Sequence, residues 1–411
     1  MMQFYPYQQR TLDALKKYSK GCCYLPTGAG KTVVMMEDCK NRLLSSIEPL
    51  TVVVVAPRIL LANQLCSEFE EYLSECGVLY THVHSGETHH FSTTKSSVIE
   101  IRNQEVIAVG SHHLIFTTYN SLQRINESEI DVNLVYFDEA HHCVKKSNFV
   151  GVAETSTDAD NVYFFTATPR INNSPESMNN TDVYGQKIIS VPASELVSVG
   201  SIIPPQVIPY ESETIRTKEN AAFVDAENII GILNEIDDEL TPKILVASPS
   251  TKVIWNMFAE SDLLEQLQEM EYAIFHITAK HGAYVNNQKV SREKFFELLN
   301  DYGNDPNQKM IVFHYSILSE GVNIHGLTHC IMLRNLPTIE MCQTIGRVVR
   351  MHKDDRKAIQ EGTIPAGSYQ LYKKSHGKIV VPVNNNYGDK IAKQLQNVVN
   401  AVFDRGELVC H

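Results

Sequence analysis

The sequence contains no run of about 20 apolar residues, the length that a membrane-spanning helix requires. Its first residues, Met1-Met2-Gln3-Phe4, have neither the basic region nor the apolar core of a signal peptide. These absences argue against an integral membrane protein and against secretion. We therefore expect a protein of the cytoplasm, or of the nucleus in a eukaryotic host.

Patterns for cysteine chemistry and metal binding are also missing. The nine cysteines form no Cys-x-x-Cys pair, which is typical of a reducing compartment and excludes a zinc ribbon or a dithiol redox site. The pairs His89-His90 and His112-His113 have no carboxylate or thiolate at ligand spacing, which argues against a metal site. The only tryptophan, Trp255, lies on a predicted helix, where packing is favoured over stacking on a base.

Positive charge is scarce. The chain has 36 basic and 48 acidic residues, a net charge of −12, whereas proteins that bind nucleic acid through bulk charge are usually basic. Strong non-specific binding to polyanions is therefore not expected. Any such binding has to rely on backbone N–H groups, hydroxyls and a few cations. The candidate cations are Arg58, Lys95, Arg124 and Arg170.

Apolar runs alternate with helical stretches along the 411 residues, a pattern typical of βαβ units and of a parallel sheet covered on both faces. The length fits two domains. The predicted strands cover residues 22–25, 51–55, 114–118, 134–137 and 163–166, then 244–247, 273–278, 310–314 and 330–333. Residues 200–209 are predicted as an extended linker, 369–372 and 379–383 as a strand pair, and 389–403 as a helix.

Residues 26–32 form a glycine-rich turn between a strand and a helix. Gly28 and Gly30 allow a tight backbone turn that aims N–H groups at phosphate oxygens. Lys31 is placed to reach the β- and γ-phosphates, and Thr32 to bind Mg²⁺. The alternative is a chance glycine-rich turn, since the strict motif has glycine where this chain has Leu25. The predicted nucleotide-binding residues of this loop are Thr27, Gly28, Ala29, Gly30, Lys31 and Thr32.

Asp138 and Glu139 directly follow an apolar strand, at the edge where parallel sheets present catalytic groups. Asp138 is predicted to hold Mg²⁺, and Glu139 to orient and deprotonate the water that attacks the γ-phosphate. An isolated acidic pair of this kind more often caps a helix. The phosphate loop before it and Ala140-His141 after it favour the catalytic interpretation here.

A third segment carries two arginines. Arg347 and Arg350 lie three residues apart on a predicted helix over residues 339–351, so both guanidinium groups are expected on one face, with Gln343 one turn earlier. A permanently charged planar fork suits stabilisation of a phosphoryl group during transfer. The alternative is an arginine pair in surface ion pairs. We predict a catalytic role for all three residues.

These segments, in this order, resemble the superfamily 2 helicases of the DExH type, and the resemblance covers nearly the whole chain. It implies an α/β fold of two tandem RecA-like domains, each a parallel sheet flanked by helices, over residues 1–200 and 201–385. A C-terminal helix and tail, residues 386–411, follow. The resemblance also implies that the two domains clamp ATP, with Lys31 and Glu139 on the first and Arg350 on the second.

Further blocks match the same family. The first, residues 4–8, looks like the segment whose glutamine, here Gln8, reads adenine. Ala56-Pro57-Arg58 and Thr117-Thr118-Tyr119 resemble two blocks that contact nucleic acid. Thr166-Ala167-Thr168 looks like the motif that couples the ATP state to the other domain, and His141 is placed at the same seam. Residues 319–323 resemble motif V, from which Gly321 joins the nucleotide-binding set. The predicted nucleic-acid contacts are Pro57, Arg58, Thr117 and Thr118.

Within the superfamily, the Asp-Glu-Ala-His box and the Gln-x-x-Gly-Arg-x-x-Arg block look more like the DNA-directed branch, which includes RecG-like, restriction-motor-like and phage UvsW-like proteins. The resemblance implies a monomeric, ATP- and Mg²⁺-dependent DNA helicase or translocase. A source in a phage or virus, and so in host cytoplasm, is suggested by the short layout. Two alternatives stay open: an RNA helicase, and an ATP-gated nucleic-acid-binding subunit with a nuclease or replication protein as its partner.

Overall fold

Buried runs of β-branched and aromatic residues form the strands of this protein, and the stretches between them form its helices. We describe the chain from a computed structural model that covers residues 4–236, 240–278, 281–315, 324–384 and 388–407. The chain divides into two units, the first ending at Val191 and the second running from Pro192 to Glu407. Within the described residues, no helix is long and apolar enough to cross a membrane.

The first unit is built on an eight-stranded sheet with the order β4-β3-β5-β2-β6-β7-β1-β8, in which every described pair of neighbours is parallel. Its strands are β1 (Lys20–Tyr24), β2 (Thr51–Ala56), β3 (Val78–Val83), β4 (Phe91–Ser92), β5 (His112–Thr118), β6 (Leu134–Phe137), β7 (Asn161–Thr166) and β8 (Gln186–Ser190). Its helices are α1 (Pro6–Lys17), α2 (Lys31–Ser45), α3 (Ile59–Tyr72), α4 (Ser96–Ala108), α5 (Leu122–Asn126), α6 (Lys146–Asp158) and α7 (Thr181–Tyr184), with a 3-10 turn at Ala140–His142.

Parallel pairing places the carboxyl ends of these strands at one edge of the sheet. Tyr24 pairs with Thr166 and Phe137 with Phe164, so the loops that follow β1, β6 and β7 lie side by side. The predicted phosphate loop, the acidic pair and the predicted coupling motif follow these three strands. The sheet register therefore brings the three segments together.

A buried polar network holds α2, the helix that follows the phosphate loop, on the sheet. The Tyr136 hydroxyl donates to the Asp38 carboxylate at 2.6 Å, and Arg42 pairs with the same carboxylate at 2.9 Å. Arg42 also donates to the Leu15 carbonyl oxygen at 3.0 Å. Asp38 thus ties α2 to the central strand β6, and Arg42 ties it to α1.

The second unit has a mixed eight-stranded sheet with the order β13-β12-β11-β14-β10-β15-β16-β9. Its strands are β9 (Pro205–Glu211), β10 (Lys243–Ala247), β11 (Ala273–Thr278), β12 (Gly282–Val285), β13 (Gln288–Val290), β14 (Met310–His314), β15 (His329–Met332) and β16 (Gly377–Val383). Its helices are α8 (Ala193–Ser198), α9 (Ala221–Glu235), α10 (Thr251–Glu260), α11 (Leu263–Glu269), α12 (Arg292–Asn304), α13 (Thr338–Val348), α14 (Lys353–Gln360) and α15 (Asp389–Val399). A 3-10 turn at Tyr369–Leu371 and a π-helical turn at Asn400–Asp404 complete it.

The predicted fold class is confirmed, two local predictions are corrected, and one hairpin was not predicted. The supposed linker 200–209 contributes most of β9, which pairs in parallel with β16 over its whole length. Residues 369–371 form a 3-10 turn rather than a strand. The hairpin β12–β13 adds two antiparallel strands that the sequence analysis did not predict. Its turn residues, Asn286 and Asn287, both have positive φ, a conformation that asparagine tolerates.

The C-terminal end of α13 packs directly on the backbone of β16. A Cβ added at Gly377 would lie 2.7 Å from the Val348 carbonyl oxygen and 3.0 Å from the Val349 nitrogen, closer than such atoms approach. The buried Lys374 ammonium donates to the carbonyl oxygens of Val348, at 2.6 Å, and Arg350, at 2.8 Å. A glycine and a buried lysine therefore fix where this helix ends.

We expect Gly377→Ala to lower the free energy of unfolding of the second unit by about 1–3 kcal/mol. The added methyl group would clash with backbone atoms, which cannot move aside as a flexible side chain can. The measurement is urea unfolding followed by the fluorescence of Trp255, which lies in this unit. Gln206→Ala is the control, since this exposed residue of β9 lies in the neighbouring strand. An unchanged midpoint in the alanine variant of Gly377 would contradict the close contact.

Candidate active site

The glycine-rich loop after β1 has a backbone that only glycine adopts without strain. Gly28 and Gly30 have φ of 89° and 74°, in the left-handed region. Helix α2 begins at Lys31, directly after Gly30, so its N-terminal N–H groups lie at the end of the loop. A helix N-terminus with free N–H groups and a positive dipole end is suited to binding phosphate.

Residues of α1 support this loop through hydrogen bonds to its backbone. Both the Tyr7 hydroxyl and the Gln8 side-chain amide donate to the Ala29 carbonyl oxygen, at 3.1 and 3.0 Å. The Gln8 side-chain oxygen Oε1 accepts the Tyr5 N–H at 3.0 Å. A Cβ at Gly30 would lie 2.7 Å from the Gln8 amide nitrogen, so glycine is required for this contact. Tyr7 is a loop-supporting residue that the sequence analysis missed.

The two carboxylates after β6 lie close to Lys31. The Lys31 ammonium is 3.5 Å from a Glu139 carboxylate oxygen. Asp138 is buried, and burial followed by the neighbouring Glu139 charge raises its pKa to about 7, against the opposing effect of Lys31. Two carboxylates therefore share one nearby lysine, which leaves an excess of negative charge in a buried place.

Glu139 has an unusual backbone conformation. Its φ of 46° and ψ of 52° lie in the left-handed region, which a residue with a Cβ adopts at a cost of about 1–2 kcal/mol. It immediately precedes the 3-10 turn at Ala140–His142. Immediately before it, the Asp138 carbonyl oxygen accepts the hydroxyl of the buried Tyr119 at 2.7 Å. This strained conformation directs the glutamate side chain toward Lys31.

His141 links the acidic segment to the end of β7. Its Nδ1 lies 3.1 Å from the Thr166 hydroxyl, 3.5 Å from the Thr168 hydroxyl and 3.5 Å from a Glu139 carboxylate oxygen. The Thr166 hydroxyl also accepts the Thr168 N–H at 3.1 Å. The Thr166 carbonyl oxygen accepts the N–H of Leu25, at the start of the phosphate loop, at 3.0 Å. A continuous chain of polar contacts thus connects the three segments.

In the second unit, Gln343 and Arg347 lie on α13 and are only 6% and 5% exposed. The prediction that Arg350 shares their helical face is wrong, because α13 ends at Val348, where Lys374 binds the last carbonyls. Arg350 instead lies in the following segment, which forms an antiparallel bridge with Ile202.

Arg347 and Arg334 both lie near the buried His314. Burial, followed by the charges of Arg347 and Arg334, lowers the pKa of His314 to about 3, which keeps this buried ring neutral. Neither His314 nitrogen has a hydrogen-bond partner among the described residues. Gly321 and the rest of the 319–323 segment lie outside the described residues.

The predicted nucleic-acid contacts differ in exposure. Arg58 is exposed and Pro57 partly exposed at the start of α3. The Thr117 hydroxyl is fully buried and donates to the Val83 carbonyl oxygen at 2.9 Å, and the buried Thr118 hydroxyl lies 3.3 Å from that of Ser121. Both threonine hydroxyls thus have partners inside the first unit.

The structure of this chain is similar to those of several known proteins, and part of its sequence matches a known family. Residues 1–171 match the profile of the family described as "Type III restriction enzyme, res subunit". The chain is similar in structure to the ATP-dependent Type ISP restriction-modification enzyme LlaBIII bound to DNA, with a TM-score of 0.72 and 15% identity over 98% of this chain. The chain spans 30% of the length of that protein. A search of curated proteins finds no match.

Two further structures cover nearly the whole chain. A putative HsdR subunit of a type I restriction enzyme from Vibrio vulnificus YJ016 has a TM-score of 0.60 and 15% identity, covering 98% of this chain and 67% of that one. Dbp5 of S. cerevisiae bound to RNA and ADP BeF3 has a TM-score of 0.59 and 12% identity, covering 100% of this chain and 90% of that one. The chain therefore shares the fold of these restriction-enzyme and Dbp5 structures.

The raised pKa of Asp138 leads to a prediction about stability. Between the ordinary carboxyl pKa of 3.8 and the raised Asp138 pKa of about 7, the folded state binds more protons than the unfolded chain, so wild-type stability decreases as pH rises through this range. Asparagine carries no charge. We therefore expect Asp138→Asn to be more stable than wild type at pH 8, by on the order of 2 kcal/mol, and equally stable near pH 4.

Urea unfolding followed by circular dichroism, without nucleotide or Mg²⁺, measures this difference. Asp158→Asn, which removes an exposed carboxylate of α6, serves as the control and is expected to show no such gain. A loss of stability at pH 8 in the Asp138 variant would show that this carboxylate is not held in an unfavourable charged state.

Proposed function

We propose that this protein is an ATP-dependent superfamily 2 DNA translocase or helicase. The observation that carries the proposal is the continuous set of contacts from Lys31 through Glu139 and His141 to Thr166. These contacts connect the glycine-rich loop, the two carboxylates and the end of strand β7, all within the first unit. The superfamily 2 fold of the whole chain supports the same conclusion.

We assign the chemistry of hydrolysis to the first unit. The loop N–H groups and Lys31 bind the phosphates of ATP, and Glu139 accepts a proton from the attacking water. The Lys31–Glu139 ion pair then gives way to contacts with the phosphates and the water. Gln8 and residues 27–32 complete the nucleotide-binding set.

The residues present also fit a divalent cation. In nucleotide sites Mg²⁺ is held by one or two protein groups together with substrate phosphates, rather than by a dedicated cage. The described part of the chain contains no group of three or more His, Cys, Asp or Glu side chains that could hold a metal ion. Asp138 and the Thr32 hydroxyl are the candidate ligands, and the raised pKa of Asp138 reflects negative charge that a cation would stabilise. Bound Mg²⁺ would neutralise charge on the phosphates.

We assign three further residues to the transition state. Arg347 and Arg350 supply permanent positive charge to the phosphoryl group during transfer, and Gln343 assists them. The Gln343 side-chain oxygen has no hydrogen-bond partner among the described residues, which supports a role toward a ligand. His141, Thr166 and Thr168 transmit the state of the nucleotide. Gly321 stays a candidate nucleotide contact.

In this proposal the nucleic-acid substrate is DNA rather than RNA. The restriction-enzyme structure with a TM-score of 0.72 is bound to DNA, whereas the RNA-bound Dbp5 structure has 0.59. We assign Pro57, Arg58, Thr117 and Thr118 to the nucleic-acid interface, with the two buried threonines acting through their backbone. We also retain a monomeric state and a cytoplasmic location, or a nuclear one in a eukaryotic host.

A second candidate is a motor subunit that works within a larger assembly. The chain spans 30% of the length of LlaBIII, and residues 1–171 match the family of a restriction-enzyme subunit. Such a subunit hydrolyses ATP on nucleic acid but needs a partner protein to act on its substrate. The two candidates share the ATPase site and differ in whether the chain alone separates or remodels strands.

ATP hydrolysis tests the leading candidate. We expect single-stranded or branched DNA to stimulate turnover by wild type, and Glu139→Gln to lower the stimulated rate by about 100-fold or more while retaining ATP binding, because only the proton-accepting oxygen is lost. Glu71→Gln, at an exposed position of α3, is the control and should match wild type.

The assay includes duplex DNA and single-stranded RNA in parallel. Stimulation by RNA alone would contradict the DNA assignment. Stimulation by DNA without strand separation or translocation would favour the motor subunit. Full activity of Glu139→Gln would remove this residue from the mechanism.

A further inference from the structure

The only tryptophan of the chain lies in an exposed position of the second unit. Trp255 belongs to the second turn of α10, the helix that follows strand β10. Because β10, β11 and β14 are parallel, this first part of α10 lies at the carboxyl edge of the sheet. The indole is 40% exposed, so the packing role expected from the sequence accounts for only part of its surface.

Aromatic rings hold Trp255 in a fixed orientation. The His281 ring stacks on the indole with centroids 4.6 Å apart and planes 15° apart. Tyr284, on the hairpin strand β12, contacts the indole edge at 6.2 Å and stacks in turn on His276 of β11 at 4.7 Å. Phe258, about one turn after Trp255 on α10, packs against His276, with ring centroids 5.0 Å apart. Trp255 and His281 form the exposed end of this aromatic row.

Three exposed basic residues, Lys252, Lys289 and Arg292, lie on the two segments that carry the indole and the hairpin. The acidic residues nearest to them in sequence are Glu260, at the end of α10, and Glu293, in the first turn of α12. Lys289 pairs across the hairpin with Tyr284, which contacts Trp255. This concentration of cations stands out in a chain with a net charge of −12. A ligand that combines an aromatic face with negative charge is complementary to it.

We propose that Trp255 is a stacking site for an unpaired base of single-stranded nucleic acid, with Lys252 and Lys289 near the adjoining phosphates. Proteins that bind single strands combine aromatic stacking with a basic groove in this way. The fixed ring orientation lowers the entropy lost on binding, because His281 and Tyr284 already restrain the indole. The proposal rests on the proposed nucleic-acid motor function and adds a contact in the hairpin-bearing part of the second unit.

Tryptophan fluorescence tests the proposal directly, since the chain has one tryptophan and the signal therefore reports on this site alone. Wild type is titrated at pH 8 with unlabelled oligo(dT), while the anisotropy of a labelled oligo(dT) measures total binding in the same buffer. We expect the fluorescence to be quenched along the same binding curve. An oligonucleotide of abasic sites, which retains the phosphates but has no bases, is expected to bind without quenching.

Variants separate stacking from a structural role. Trp255→Ala is expected to bind oligo(dT) about tenfold more weakly, and Trp255→Phe to stay within about threefold of wild type, because phenylalanine still offers a ring face. Phe223→Ala is the matched control: Phe223 is 52% exposed in α9 of the same unit, and its removal should leave binding unchanged. Circular dichroism confirms that each variant is folded.

Binding of oligo(dT) without quenching, or unchanged affinity in folded Trp255→Ala, would overturn the stacking site while leaving the proposed motor function intact. Equal quenching by the abasic oligonucleotide would also overturn it, since the signal would then not come from a base. If no nucleic acid binds in the anisotropy assay, with or without an ATP analogue, the proposed function itself fails and the stacking site fails with it.

Discussion

The site of the first unit depends on an imbalance of charge. Asp138 and Glu139 directly follow a buried strand. The Lys31 ammonium lies 3.5 Å from a Glu139 carboxylate oxygen. Burial makes this arrangement unfavourable for the empty protein, as the raised pKa of Asp138 shows. Under the proposed function, a nucleotide that brings a divalent cation and places phosphate against Lys31 would relieve the imbalance.

The rest of each unit serves to hold such groups in place. In the first, parallel pairing of β1, β6 and β7 sets the loops side by side, and His141 bridges them. In the second, Lys374 and Gly377 fix the end of α13, so that Arg347 lies inside the helix and Arg350 beyond it. Lys374 and Gly377 lie away from the motifs in sequence, yet they determine where the candidate residues of α13 lie.

Strands buried on both faces were predicted most accurately from the sequence, because a continuous apolar run identifies them: residues 273–278 and 310–314 match β11 and β14 residue for residue. Edge strand β9 was mistaken for a linker, since its prolines and alternating burial are typical of extended loops as well. The end of α13 depends on a tertiary contact with Lys374. The left-handed Glu139 likewise depends on its surroundings, and no local pattern indicates it.

The affinity for a non-hydrolysable ATP analogue, measured by calorimetry with Mg²⁺ and with a chelator, tests the charge imbalance most directly. We expect Mg²⁺ to tighten binding to wild type by about tenfold or more and to have little effect on Asp138→Asn, because the carboxylate that favours a cation is then absent. Equal affinity for the analogue with and without Mg²⁺ in wild type would contradict it.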